Sequence, residues 1–393
     1  MVSVMVQRCV PYAILGRLQG CFFIHNFRGK SLRNAKVTWK SLYTFYSISC
    51  YIFYILLETL FATHFARVIR NISDALSRSL LLVVFGVVVV KVLANLSVML
   101  TKPDELLAFF RKSEAFETNT GFSPRTRRSQ DSAAVRWNVL RKYGVYMGQV
   151  LYFTLTERFI MVDIAQSMPP QWSVPTKIFA FFLGIGFLCY ESLSYFFLKS
   201  CTEVLVEYIQ IQVELFQKAG IFSHVRFQPP FSSQVDAMRL RIDKIRKLKE
   251  SLNNIWVGPL IISCANTIIV DCVVLDAVFH DGIRTELWLV VGYSVYASLC
   301  FVDLAYTGQA FIDEVRKLKS AILMVPTFGA SDSYLRQLRY LHESVDPDEM
   351  CLGGGGFFVL KRSLLLSMTG SVIIFGVILV QTSNTVSLRI NAA

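Results

Sequence analysis

Residues 363–382 read SLLLSMTGSVIIFGVILVQT, twenty residues without a charge. At helical rise they span about 30 Å, the thickness of a hydrocarbon core. Steps of three and four place Ser363, Ser367, Gly370, Ser371, Ile374, Ile378 and Gln381 on one face. Leu365, Met368, Val372 and Leu379 fall on the other. A stripe of small and polar residues ending in an amide suits a helix that lines water. It suits somewhat better a tight seam between helices, since small residues let backbones approach. The stretch is preceded by four glycines, 353–356, which read as a flexible or close-packed hinge.

Six more apolar runs of membrane length, each with one to three charges, lie near 41–63, 79–100, 143–166, 177–198, 255–279 and 287–310. Only 17% of the 393 residues are charged and 53% are hydrophobic, which fits a polytopic membrane protein better than a soluble one. Lysine and arginine then set the orientation. Segments 1–40, 101–142, 199–254 and 311–362 hold 7, 9, 9 and 7 of them, 32 in all, against 6 on the other side. The excess belongs inside, so the N-terminus is expected in the cytoplasm and the C-terminus outside. This also accounts for the net charge of +12 without nucleic acid. The expected fold is all-α: one membrane domain, 1–393, of seven transmembrane helices. Apolar spacing carries helices four to six beyond the membrane, making 199–254 and 311–362 cytoplasmic anchor segments, with 1–40 a cytoplasmic N-terminal segment and 363–383 the last helix.

Nine cysteines form no C-x-x-C pair and fall in no outer segment, so a disulfide framework is not expected. Arg8, Pro11 and Arg17 interrupt any signal-peptide core. Five dispersed histidines give no metal-ligand spacing, and no Walker loop or nucleophile motif occurs, so neither a metal, a cofactor nor an enzyme activity is expected. Asn71-Ile72-Ser73 lies in an outer connection, as a glycan acceptor or as a chance match beside the membrane. Polar groups in the outer halves of the spans could build a small-molecule pocket: Glu157, Asp163, Asp271 and Asp276, with Trp288, Tyr293 and Tyr296. The same residues could be structural ion pairs and interfacial anchors. The orientation, and the lack of Asp-Arg-Tyr and Asn-Pro-x-x-Tyr, speak against a G-protein-coupled receptor. A transporter would more often show repeated halves.

The run Ile374-Phe375-Gly376-Val377-Ile378-Leu379-Val380-Gln381-Thr382 resembles the C-terminal motif of the insect and arthropod gustatory receptor family. That motif is Thr-Tyr, five apolar residues, then Gln-Phe. The spacer and Gln381 match and Phe375 stands for Tyr, while Ile374 and Thr382 depart from it. The lead-in Gly356-Phe357-Phe358 resembles the family's Gly-Phe element, with weaker likenesses near Pro11, Gln309 and Tyr334. The resemblance implies a tetrameric, ligand-gated, nonselective cation channel in the plasma membrane of chemosensory neurons. Its subunits would be like or related chains, its ligand a small-molecule tastant bound in the outer half, and its permeant species cations. The last helix would line the pore, moving the reading of its stripe from seam to pore wall. Gln381 and Thr382 would shape gate and selectivity, with Ile378, Ile374, Ser371 and Ser367 along the wall. Because Thr382 is not a bulky apolar residue, Ile378 is the better candidate for a dewetting constriction. A nonconducting partner subunit, a transporter and a G-protein-coupled-type receptor remain the alternatives.

Overall fold

The computed structural model describes residues 3–29, 31–70, 75–122, 132–159, 171, 173–222, 230–280, 287–325 and 332–391. Seven long helices are found among them: α2 (Leu42–Arg70), α3 (Ala75–Thr101), α5 (Ser132–Phe159), α6 (Ser173–Phe222), α7 (Pro230–His280), α8 (Leu287–Leu323) and α10 (Arg362–Asn391). Three shorter ones, α1 (Val4–Leu18), α4 (Pro103–Thr120) and α9 (Asp332–Ser344), gather at the end of the bundle rich in Lys and Arg. A two-stranded antiparallel ribbon, β1 (Ile24–His25) and β2 (Lys36–Val37), pairs Ile24 with Val37. The seven expected spans are thus seven helices, and the expected extensions are continuous: α6 has 50 residues and α7 has 51. At helical rise each is about 75 Å long, more than twice the hydrocarbon thickness.

The two ends of the bundle obey opposite packing rules. At the basic end Phe109, Phe110, Phe311 and Leu341 have no exposed surface, as in a water-soluble core. Further along, large apolar side chains face outward, among them Ile52, Ile55, Leu93, Tyr143 and Val150. Lys91, Asn95, Glu191 and Asn266 are buried instead. Lipid tails are as apolar as leucine, so nothing drives these aliphatic groups inward, whereas polar groups must find partners inside.

Helix α4 was hidden in the polar segment 101–142. Pro103 opens it, Asp104 and Glu105 sit in its first turn, and Gly121 ends it with a left-handed φ of 62°. Its buried Glu117 accepts from the Val4 and Met5 amides at 2.8 and 3.0 Å. These are two of the orphan donors at the start of α1, at the positive end of its dipole. The Tyr208 hydroxyl of α6 also reaches Glu117, so one carboxylate joins three helices. Burial beside that carboxylate pushes the Tyr208 phenol well above its usual range. On α7, burial pulls the Lys249 ammonium below its ordinary value, and Nζ donates to the Glu349 carbonyl at 2.6 Å.

The glycine run before α10 is close-packed. Gly354 donates to the Phe358 carbonyl at 3.0 Å, and the Leu360 amide donates to Leu352 at 2.8 Å, folding the loop on itself. Gly355 and Gly356 take φ of 58° and 91°. A Cβ on Gly353 would lie 2.3 Å from the Phe358 carbonyl oxygen. The loop seats on α8, where a Cβ on Gly308 would lie 2.5 Å from the Leu360 oxygen.

Replacing Glu117 by Ala leaves two buried amides without an acceptor and is expected to cost about 2 kcal/mol. Gly308→Val, which must displace backbone, is expected to cost about 1–3 kcal/mol. Gly86→Ala meets nothing within 4 Å and serves as a control, with a gain of about 0.5–1 kcal/mol for an interior helix position. Thermal unfolding of the detergent-solubilised protein measures all three.

Candidate ligand pocket and pore-lining helix

A buried polar network ties α3, α6, α7 and α8 together. Lys91 on α3 pairs with Glu191 on α6, with side-chain exposures of 8% and 0%. Asn95, one turn from Lys91, donates to the carbonyls of Tyr190 and Glu191 at 3.0 and 2.8 Å. From α8 the Tyr293 hydroxyl donates to Glu191 at 3.2 Å, and Asn266 of α7 donates to Tyr293 at 2.9 Å. The Lys91 ammonium also lies 5.7 Å from the Tyr293 ring centroid, within cation–π range. Tyr152 of α5 adds its ring to those of Tyr293 and Tyr296, at 5.1 and 5.8 Å. Beside this network lies a cavity of about 20 Å³, lined by Lys91, Glu191, Tyr195, Trp256, Tyr296 and Cys300. That is room for roughly one water.

Two of the expected pocket residues, Tyr293 and Tyr296, therefore belong to one buried aromatic cluster. Asp271 on α7 accepts from Ser294 and Ser298 on α8, the latter at 2.9 Å. Asp276 is buried near the end of α7, and Trp288 is half exposed at the start of α8. The Glu157 side chain, Asp163 and Asn71 lie outside the described residues. Lys91 and Glu191 were visible as charges inside spans but fell outside the outer-half criterion. The signal that finds them is the rarity of charge at membrane depth.

A second cluster lies toward the basic end. Asp303 of α8 pairs with Lys199 and accepts from the Tyr195 hydroxyl at 2.6 Å, and Arg141 of α5 approaches it at 3.6 Å. One helical turn along α8, Tyr306 is stacked by two guanidiniums, Arg141 at 4.9 Å and Arg362 at 4.8 Å. Arg362 begins α10, and its amide donates to Gln309 of α8 at 3.3 Å.

Helix α10 packs on α7 with one face. Met368 meets Cys264, Cys272 lies at the Val372 carbonyl, and a Cβ on Gly376 would lie 2.2 Å from Leu275. Ser367, Ile374, Ile378 and Gln381 are exposed and Ser371 is half-buried. The Ser367 and Ser371 hydroxyls turn back to the carbonyls of Ser363 and Ser367, leaving the helix backbone intact. The Thr382 side chain lies outside the described residues.

The sequence profile of the 7tm Chemosensory receptor family matches residues 11–385. Two solved structures have the same fold, both of the insect olfactory receptor OR5 from Machilis hrabei. The one in complex with eugenol aligns at a TM-score of 0.69 and 13% identity, covering 96% of this chain and 98% of that one. The second aligns at 0.68 and 12%, with the same coverage.

Lys91→Met strands the Glu191 carboxylate in the interior and is expected to destabilise by about 3–5 kcal/mol. The double variant Lys91→Met/Glu191→Met is expected to recover much of that loss. Thermal midpoints of the singles and the double give the coupling; strict additivity would mean that the two groups do not act as a pair.

Proposed function

The chain belongs to the 7tm Chemosensory receptor family, and on that premise we propose that it is a gustatory receptor acting as a ligand-gated, nonselective cation channel. The proposed assembly is a tetramer of like or related chains in the plasma membrane of chemosensory neurons, with the N-terminus cytoplasmic. The observation that carries this reading is the division of α10 into two faces. Met368, Val372 and Gly376 are held by α7. The stripe residues Ser367, Ile374, Ile378 and Gln381 lie on the exposed remainder of the helix, which also carries Leu366, Ile373, Phe375 and Val377. Four such stripes facing one axis would wall a pore. Gln381 would offer its amide to ions and Ile378 would form an apolar ring able to exclude water when closed. Thr382 and Ser371 would complete the wall.

The ligand is a small-molecule tastant. Its site is proposed among the outer parts of α5, α7 and α8, where the pocket residues Glu157, Asp163, Asp271, Asp276, Trp288, Tyr293 and Tyr296 belong. Ligand acts by binding better to an arrangement in which these helices have shifted, which moves the population toward the open pore. The link to the gate is α8. Tyr306, Gln309 and Gly308 hold Arg362 and Leu360 at the start of α10. A displacement of α8 must therefore carry the base of the pore helix with it.

In a conducting channel, Gln381→Ala is expected to alter relative cation permeability, and Gln381→Glu to raise divalent over monovalent permeability through its added charge. Whole-cell reversal potentials measure both; unchanged values for both variants would remove Gln381 from the pore. Tags at the two termini of intact cells check the orientation. The N-terminal tag is expected to stain only after permeabilisation and the C-terminal one before it.

A further inference from the structure

A second, larger concavity lies away from the buried network. Helices α2 and α3 diverge to leave a groove of about 920 Å³, with Tyr51, Tyr54 and Glu58 on one side and Phe85, Leu93 and Leu96 on the other. Its volume lies in the range of small-molecule sites, whereas the cavity beside Glu191 holds about one water. On α2 its lining runs from Tyr51 to Ala66, about 22 Å of helix, and Glu58 lies midway. The groove opens where the neighbouring surface is apolar: Ile52, Ile55, Val90 and Leu93 are all about half exposed.

Glu58 is the anomaly in this lining. Its carboxyl lies beside the Tyr54 hydroxyl one turn earlier. Among the described residues no lysine or arginine pairs with it, while Lys91 on α3 is committed to Glu191. A carboxyl at membrane depth normally has its counter-charge built in. Here the same groove presents three aromatic rings instead, Tyr51, Tyr54 and Phe85. The buried Tyr51 hydroxyl has no hydrogen-bond partner among the described residues. An acid set among aromatic faces in an apolar trough is the chemistry that holds an ammonium carried on a lipophilic body.

We propose that the α2–α3 groove is a second ligand site, entered from the bilayer, that takes a lipophilic amine. The ammonium pairs with Glu58 between the tyrosine rings, and the apolar body lies along α3 over Leu93 and Leu96. Behind two of the lining rings stands Tyr190, which packs on Tyr54 at 5.0 Å and on Tyr51 at 6.5 Å. Tyr190 adjoins Glu191 in α6, so an occupant bears on the buried network without entering it.

The test is photolabelling of the full chain in lipid nanodiscs. Two probes are used, a diazirine-bearing N,N-dimethylalkylamine and the alcohol of the same chain, and labelled peptides are mapped by mass spectrometry. The expected result is amine labelling of 51–66 and 85–100 at least 10-fold above the alcohol. Glu58→Gln is expected to lower amine labelling about 10-fold and leave the alcohol unchanged. Leu93→Trp, at an outward-facing position, is expected to fill the groove and reduce amine labelling without touching the charge. Equal labelling by amine and alcohol would show a groove filled by any acyl chain and overturn the proposal. So would undiminished amine labelling of a folded, monodisperse Glu58→Gln protein. Should that variant fail to fold, the amine-to-alcohol ratio and Leu93→Trp decide. The readout is covalent labelling, so it stands or falls independently of whether the protein conducts.

Discussion

The buried pair of Lys91 and Glu191 fixes how the membrane part of this chain can be arranged. In water, two such groups would gain little by meeting. Inside a bilayer each is costly alone, and their pairing dictates which faces of α3 and α6 look inward. Asn95 then reaches the Tyr190 and Glu191 carbonyls because Lys91 has already set the rotation of α3. Tyr293 and Asn266 bring in α8 and α7 through the same carboxylate. The apolar faces that remain need no partner in the protein, and Ile55, Leu93 and Val150 are left outward. Apolar packing in hydrocarbon has no preferred direction, so a handful of hydrogen bonds supplies the direction instead.

The basic end solves a different problem with different means. There the chain stands beyond the apolar layer and forms a close-packed core around Phe109, Phe110, Phe311 and Leu341. Glu117 secures α1 by capping it, not by a pairing with another charge. Such close packing suits that end to anchor long helices. Helix α8 runs unbroken from Trp288, beside the proposed pocket, through Asp303 and Tyr306 to this core. It grips the start of α10 and the residues just before it through Tyr306, Gln309 and Gly308 against Arg362 and Leu360. The close-packed glycine loop makes that grip stiff, since Gly353 and Gly354 leave no room for slack against Phe358.

Much of this was legible in the sequence, and the reasons differ by element. Seven uncharged or nearly uncharged runs gave seven helices because hydrocarbon thickness sets a length that composition alone reveals. The 3.6-residue spacing put Met368 and Val372 on one face of α10, and both do meet α7. Helix α4 was missed although Pro103, Asp104 and Gly121 mark its ends, because its apolar positions are diluted by Arg111, Lys112 and Glu114. Helix α1 was obscured by Pro11, which it accommodates while docking Met5, Cys9 and Ala13 inward. The pairing of Lys91 with Glu191 could not be read, since it joins residues 100 positions apart. Sequence marks both as misplaced charges but does not say that they answer each other.

Comparison of Glu191, Asp303 and Glu58, three of the carboxylates within the spans, sharpens what each can do. Glu191 has a cation, a tyrosine hydroxyl and almost no free space. Asp303 has Lys199, Tyr195 and Arg141 around it. Both have their charge answered by a cation of the fold, so any ligand would have to displace a partner to pair with them. Glu58 has a tyrosine and an open trough of about 920 Å³. An occupant of that trough would break none of the ion pairs that hold the helices together. Glu191 and Asp303, which hold helices together, and Glu58, which faces the groove, are therefore separate groups. The separation has a physical basis: a charge already answered inside the protein has little electrostatic attraction left to offer a visitor.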